Sequence, residues 1–418
     1  MITVLHVIDS LEGGGAEHQL TDLLLRSNRA EFRHIVCAVK TAIRFSGELR
    51  RAGIEIYTLA VPGKYSLVPG VARLHALARR VAPDVIHASL YQAGVIGRTV
   101  GWLLGIPVVT TLVNTTYEPE WWLDNPYLAR RRVRLLQLVD RWTSRWWGTR
   151  FVAITDGVKR SAARQLGIPL ERITVLPRGF PFGDITTPLP HEVAALRQRL
   201  AGDAHPLLLN VGRLVPQKGQ RYLIEAMRRV IEVLPHARLL IAGEGKWRSD
   251  IEALVEERGL RQSVQLLGER EDVYGLLAAA DIFVFPSLFE GFGVSLLEAM
   301  ALGRPCVISD IGVLREVTDG GTRALLAPIR SPDALAEAIL RLAQDRELAG
   351  RLGSAAAAWA RERFDIRRCV AAVEETYRAL TSHKRGPGLA AADAGGNVRW
   401  ESAETSGLRQ GRDAGVSD

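Results

Sequence analysis

Residues 282–298 read IFVFPSLFEGFGVSLLE, and this stretch decides the fold. Ile282–Pro286 has the composition of a short strand that ends at Pro286, a small loop carries Glu290, and a helix begins near Val294. Gly291 and Gly293 leave backbone N–H groups free to face a ligand, with the positive end of the helix behind them. Glu298 follows on the first turns of that helix, so Glu290 and Glu298 can line one cavity. Acidic groups beside amides that favour anions suit a ligand carrying both hydroxyls and phosphates.

The same strand–loop–helix unit recurs on both sides of this stretch. Upstream, strand patterns lie at Val4–Ile8, Ile35–Val39, Ile54–Leu59, Val85–His87, Val108–Leu112, Phe151–Ile154 and Ile173–Leu176, with helices at Ala16–Arg26, Val71–Val81 and Ala129–Trp142. The pattern breaks at the Pro/Gly segment Pro177–Gly183 and then restarts. Strands are expected at Leu207–Val211, Arg238–Ala242, Val264–Leu267, Ile282–Pro286, Cys306–Ile308 and Ala324–Leu326. Such alternation argues for right-handed βαβ units on parallel sheets. The fold class is therefore α/β, with two Rossmann-like, doubly wound domains facing across a cleft and a hinge near residues 177–190. Residues 1–182 are assigned to the N-terminal domain and 183–360 to the C-terminal one. Residues 361–382 are expected to form a helix packing back on the first domain. The Gly/Ala/Asp/Ser-rich stretch 383–418 is expected to be a disordered tail.

Composition narrows the class. The 418 residues, 47% hydrophobic and 24% charged, suit two or three ordinary globular domains. Three widely spaced cysteines with no CxxC pair exclude a disulfide framework or zinc finger and point to a reducing compartment. No signal-peptide pattern opens the chain, and the uncharged, mostly apolar run 99–113 is too short to span a bilayer. A cytoplasmic protein is expected, peripheral at most on the inner face of the cell membrane. The net charge of +8 is concentrated: residues 121–150 carry seven Arg against Asp124 and Asp140, with five of the nine Trp beside them. Arg with interfacial Trp is the composition of a membrane-surface helix, and equally of a solvated helix with buried indoles.

Two further loops fall at strand ends. Gly13-Gly14-Gly15-Ala16-Glu17 follows the first strand and opens the first helix, where backbone can approach a phosphate. It fails as a dinucleotide fingerprint because His18 stands where the third Gly belongs, and the second strand ends at Lys40 without an acidic residue. Gly212-Arg213-Leu214-Val215-Pro216-Gln217-Lys218-Gly219 places two cations five residues apart after the first strand of the second domain. Lys218 is not background in a chain that uses 48 Arg and 6 Lys, and the pair suits an anionic leaving group. No Asp-x-Asp, Walker A, HExxH or GxSxG motif occurs. His6 and His87 sit inside apolar strands and are expected to be hydrogen-bonded core residues.

The segments GRLVPQKG, LLIAGEGKWR and LLGEREDVYGLLAAADIFVFPSLFEGFGVSLLEAMALGRPCVISD, with seven residues between Glu290 and Glu298, together resemble glycosyltransferase family 4, retaining enzymes of the GT-B fold. The resemblance implies transfer from a UDP- or GDP-sugar to a glycan or lipid-linked acceptor, in polysaccharide or glycolipid biosynthesis, with acceptors bound by the N-terminal domain. It assigns Arg213 and Lys218 to the diphosphate, Glu298 to the ribose, and Glu290, Phe292 and Gly293 to the donor sugar. Gly212 belongs to the same phosphate loop, Gly268, Glu269 and Arg270 lie by the base, and Gly14 and Gly15 by the phosphate and acceptor. No metal or other cofactor and no nucleic acid is expected. An anionic membrane surface is the expected partner of residues 121–150. Family members usually carry a His shortly after the fifth strand, where this chain has Val113 and Asn114, and Arg178-Gly179 replaces the commoner Asn-Gly after the hinge strand. Two alternatives remain: a non-catalytic glycosyltransferase-like partner subunit, motivated by the missing His, and a nucleotide-sugar 2-epimerase, which would lack the Glu290–Glu298 spacing.

Overall fold

A computed structural model describes residues 1–12, 15–41, 43, 46–63, 66–115, 117–118, 130–147, 149–185 and 189–382. The expected tail at 383–418 lies outside the described residues, as do Gly14, Trp121 and Trp122.

The first sheet has seven parallel strands: β1 (Ile2–Ile8), β2 (Phe32–Ala38), β3 (Glu55–Thr58), β4 (Val85–Ser89), β5 (Val108–Leu112), β6 (Arg150–Ala153) and β7 (Ile173–Val175). Its order is β3-β2-β1-β4-β5-β6-β7. Six parallel strands form the second: β8 (Leu207–Val211), β9 (Arg238–Ala242), β10 (Val264–Gly268), β11 (Ile282–Phe285), β12 (Cys306–Ser309) and β13 (Leu325–Ala327). They run β10-β9-β8-β11-β12-β13. Each sheet reverses its winding once, between β1 and β4 and between β8 and β11. Ligands of such sheets bind at the carboxyl ends of the strands flanking that reversal.

The helices that matter for the site follow those strands. They are α1 (Gly15–Arg26) after β1, α2 (Ser46–Arg51), α3 (Leu67–Val81), α4 (Tyr91–Leu104) after β4, α5 (Arg130–Trp146) and α6 (Asp156–Leu166). In the second half come α7 (Pro190–Ala201), α8 (Gln220–Val233), α9 (Arg248–Glu257), α10 (Val273–Ala279), α11 (Val294–Ala301), α12 (Gly312–Val317) and α13 (Pro332–Gln344). The chain ends its described course in α14 (Arg346–Arg363) and α15 (Ile366–Ser382). Residues 361–382, expected as one helix, divide between the end of α14 and α15, and α14 starts at Arg346, capped by the Asp345 side chain accepting from the Leu348 amide at 2.8 Å. The central helix α4 escapes an amphipathic reading because its buried positions run almost continuously from Gln92 to Gly101. A helix covered on several sides shows no apolar stripe.

Contacts between the two lobes are specific. The Glu316 carboxylate of α12 accepts from the Asp156 and Gly157 amides at the start of α6, at 2.7 and 3.1 Å. After α14 the chain returns to the first lobe: the Phe180 amide donates to the Phe364 carbonyl, and the Ile366 amide to the Phe180 carbonyl. Helix α15 then packs Val370, Val373 and Tyr377 with Val4, Phe32, Val85 and Val109 of the first sheet. Beneath it, His87 is hydrogen-bonded to the Tyr377 hydroxyl at 2.5 Å and to Thr111 at 2.6 Å. His6 and His34 are bonded at 3.0 Å, and His34 reaches Ser27 at 2.9 Å. His6 and His87 are thus hydrogen-bonded core residues. Burial holds the imidazoles of His34 and His87 down to about 4.

Candidate active site

A cleft of about 1230 Å³ opens at the carboxyl ends of both sheets. From the first lobe it is lined by Asp9, Gly15, His18, Asp22, Thr111 and Asn114, among others. The second lobe contributes Gly212, Arg213, Lys218, Tyr274, Glu290, Phe292, Gly293 and Glu298. A smaller cavity of about 520 Å³, beside Pro206, Ile282 and Pro305, sits at the amino ends of the second sheet's strands and contains none of these groups.

The loop after β8 is shaped by its glycine. Gly219 has φ +67°, and a Cβ there would stand 2.0 Å from the Pro286 carbonyl oxygen. The turn therefore lies flat on the end of β11, which brings Lys218 to Glu290. Lys218 Nζ donates to Glu290 Oε1 at 2.5 Å and lies 5.1 Å from the centre of the Phe285 ring. Both side chains are largely buried, so the pair is a fixed charge arrangement rather than a surface contact. Arg213 is exposed at the cleft, and among the described residues nothing pairs with its guanidinium.

Gly291 sets the distance between the lobes at this point. A Cβ on it would meet the Val113 carbonyl oxygen at 1.9 Å, so bare backbone of one lobe lies against backbone of the other. Val113 and Asn114, the positions where the family His is expected, line the cleft beside this contact. Beyond it α11 begins at Val294, its amino end facing the cleft, and Ser295 Oγ donates to the Val211 carbonyl at 3.0 Å. Burial pushes the Glu298 carboxyl up to about 7, opposed by the Arg178 charge. The Tyr274 hydroxyl opposite is pushed up to about 12, by burial first and the Glu298 charge second.

Arg213, Lys218, Glu290, Phe292, Gly293, Glu298, Gly212 and Gly15 thus meet around one cavity. Gly268, Glu269 and Arg270 do not line it. A Cβ on Gly268 would face Glu244 at 3.1 Å, and Arg270 is tied to Asp272 at 2.6 Å. Sequence reading gave no role to Asp22, Tyr274 or Arg178, which the fold brings to the same cleft. The Arg at 178 stood out in the sequence only as a departure from Asn.

Two family models match the chain, one described as "Glycosyltransferase Family 4" over residues 13–182 and one as "Glycosyl transferases group 1" over residues 194–359. Between them they take in both lobes and every cleft residue named above except Asp9. The chain is a family 4 glycosyltransferase. This glycosyltransferase is 31% identical to an alpha-D-kanosaminyltransferase of Streptomyces kanamyceticus over 61% of its own length and 66% of that relative's. It is 27% identical to the Escherichia coli UDP-Gal:alpha-D-GlcNAc-diphosphoundecaprenol alpha-1,3-galactosyltransferase, over 79% of its own chain and 78% of the relative's. Among solved structures, Anabaena HepE in complex with UDP and glucose superposes with a TM-score of 0.78 at 24% identity, covering 91% of this chain and all of that one. Sucrose-phosphate synthase from Thermosynechococcus elongatus gives 0.75 at 22% identity, over 91% and all of the two chains. The fold of the family 4 glycosyltransferase is GT-B.

Proposed function

We propose that this chain is a retaining, metal-independent glycosyltransferase that moves a sugar from a UDP- or GDP-sugar to a glycan or lipid-linked acceptor, in polysaccharide or glycolipid biosynthesis. The observation that carries the reading is the meeting of Lys218, Glu290, Glu298 and the amino end of α11 around one cleft at the ends of two parallel sheets. A nucleoside diphosphate sugar uses all of these at once: cations and amides for the phosphates, a carboxylate for ribose hydroxyls, and a further polar pair beside the sugar. The HepE complexes with UDP and UDP-glucose, and the E. coli relative named for UDP-Gal, support a uridine donor; a Corynebacterium glutamicum relative named for GDP-mannose supports the other base.

In the transfer, the bond from the anomeric carbon to the diphosphate oxygen breaks as the bond to the acceptor oxygen forms on the same face. The acceptor proton leaves with the diphosphate. Negative charge grows on the departing group, and Arg213 and Lys218 oppose it. Lys218 is already oriented by Glu290, so its charge needs little reorganisation at the moment of reaction. The ammonium has three donors, and Glu290 takes one.

The acceptor side favours a lipid-linked partner at an anionic membrane surface. Helix α5 carries six Arg, and its one acid, Asp140, turns inward to Arg98 at 2.6 Å. Leu135, Leu138 and Trp142 stand exposed along α5, at 60%, 62% and 55%. Trp102 and Leu103 at the end of α4 extend the patch, with Trp147 stacked on Trp102 at 5.4 Å. Exposed indole and leucine among exposed arginines suit the boundary of an anionic leaflet. No described helix is long and apolar enough to cross a membrane.

A screen of UDP- and GDP-sugars, following nucleotide release with and without excess EDTA, tests the proposal. One donor should turn over, and turnover should persist in the chelator. Loss in EDTA restored by Mn²⁺ or Mg²⁺ would remove metal independence. Failure of every donor to turn over would leave the non-catalytic subunit that the absence of a His at Val113 or Asn114 suggests.

A further inference from the structure

We infer that Arg178 is a third cation for the donor diphosphate, supplied by the segment that follows β7 rather than by the second sheet. The inference rests on the nucleotide-sugar reading above. Arg178 is only 6% exposed, yet among the described residues no hydrogen bond or ion pair holds its guanidinium. A cation buried except where it opens on a cleft has lost most of its water and keeps an open side for a ligand to complete. Arg178 lines the cleft, so the missing partner has room to arrive from there.

Its position identifies the chemistry of that partner. Arg178 Nη1 lies 2.9 Å from the point where a Cβ on Gly15 would stand, and the same point is 3.6 Å from Val294 Cγ2. Gly15 opens the twelve-residue α1, and Val294 opens the eight-residue α11. The guanidinium therefore occupies the place where two helix amino ends converge from opposite lobes. Both ends carry partial positive charge, so three positive features gather there. Burial disfavours the charge on Arg178, and Asp22 and Glu298 favour it less strongly from nearby without closing on it as partners. A phosphate accepts from a planar guanidinium and from helix amides together, and the donor proposed above brings two of them to this cleft. Arg213 and Lys218 reach the cleft from the second sheet and Arg178 from the first, so a diphosphate between them is gripped from both lobes.

Calorimetric titration of the full chain with UDP, GDP, uridine and guanosine tests this. Arg178→Gln should weaken the diphosphate that the parent binds by about 10–100-fold, while the matching nucleoside binds as before. Arg178→Lys should recover part of the loss, and its thermal midpoint checks that the fold is intact. Equal diphosphate affinity in parent and Arg178→Gln would overturn the inference alone. Unchanged diphosphate affinity with a raised KM for acceptor would also overturn it, moving Arg178 to an anionic group on the acceptor. A parent that binds neither diphosphate would remove the nucleotide-sugar reading, and this inference with it.

Discussion

Lys218 and Glu290 hold each other in the cleft wall, so removing either one strands a buried charge. Lys218→Ala or Arg213→Ala should lower kcat by about 10²–10³, the usual loss for one donor aimed at a developing charge. Initial rates at saturating donor check this, and near-normal turnover in both variants would contradict the leaving-group role. Glu298 behaves differently. Its carboxyl titrates at about 7 because burial disfavours the charged form, so it is mostly protonated at pH 6 and mostly ionised at pH 8. On the proposed reading, the ionised form would accept from ribose hydroxyls. Affinity for the nucleotide sugar should therefore rise between pH 6 and 8 in the parent and stay flat in Glu298→Gln, as binding titrations at four or five pH values would reveal. Sequence alone made Lys218, Glu290 and Glu298 legible because strand end, loop and helix start are local patterns. Arg178 was not legible: its setting depends on Gly15 and Val294, which only tertiary folding brings to it.

Helix α5 shows why elements differ in legibility. Its arginines and exposed Leu135, Leu138 and Trp142 alternate with buried Val133, Thr143 and Ser144, an amphipathic rhythm that composition already hinted at. What the sequence left open was whether the indoles point in or out. Trp142 points out, and Trp147 is stacked against Trp102 of α4. Helix α4 is the opposite case, apolar on most sides and therefore without a period to read. Each Arg near an anionic leaflet contributes on the order of 1 kcal/mol, less as salt shortens the Debye length. Changing Arg130, Arg131, Arg132 and Arg134 to Gln should abolish sedimentation with anionic vesicles at low salt, while Trp142→Ala should weaken it without changing its salt dependence. A parent that ignores anionic vesicles at low salt would mark α5 as a solvated helix.

Across the molecule, the alternation of strands and helices was enough to anticipate two parallel sheets, because each βαβ unit is written locally. The return of the last helix to the first lobe was also expected, but not the contacts that fasten it, since these depend on Phe180 meeting Phe364 and on Tyr377 covering His87. That fastening should be sensitive to acid. His34 and His87 stay neutral in the fold down to about 4, whereas in the unfolded chain they take up protons below about 6.5. The unfolded state therefore binds more protons between those values, and stability should fall as pH drops through that window, with no contribution from these groups above it. Urea midpoints from pH 7.5 to 4.5 measure the slope, and the double variant His34→Gln, His87→Gln should show a shallower one. Tyr377 also lies 290 positions beyond the histidine it covers. At about 5–20 residues per second, a ribosome delivers that helix roughly 15–60 seconds after the strand it must cover. Through that interval Val4, Phe32, Val85 and Val109 lack their lid, so the first-made half of the protein is the last to be finished. Messages cut short before α15 should yield chains that chaperones hold and proteases clear, however complete their cleft.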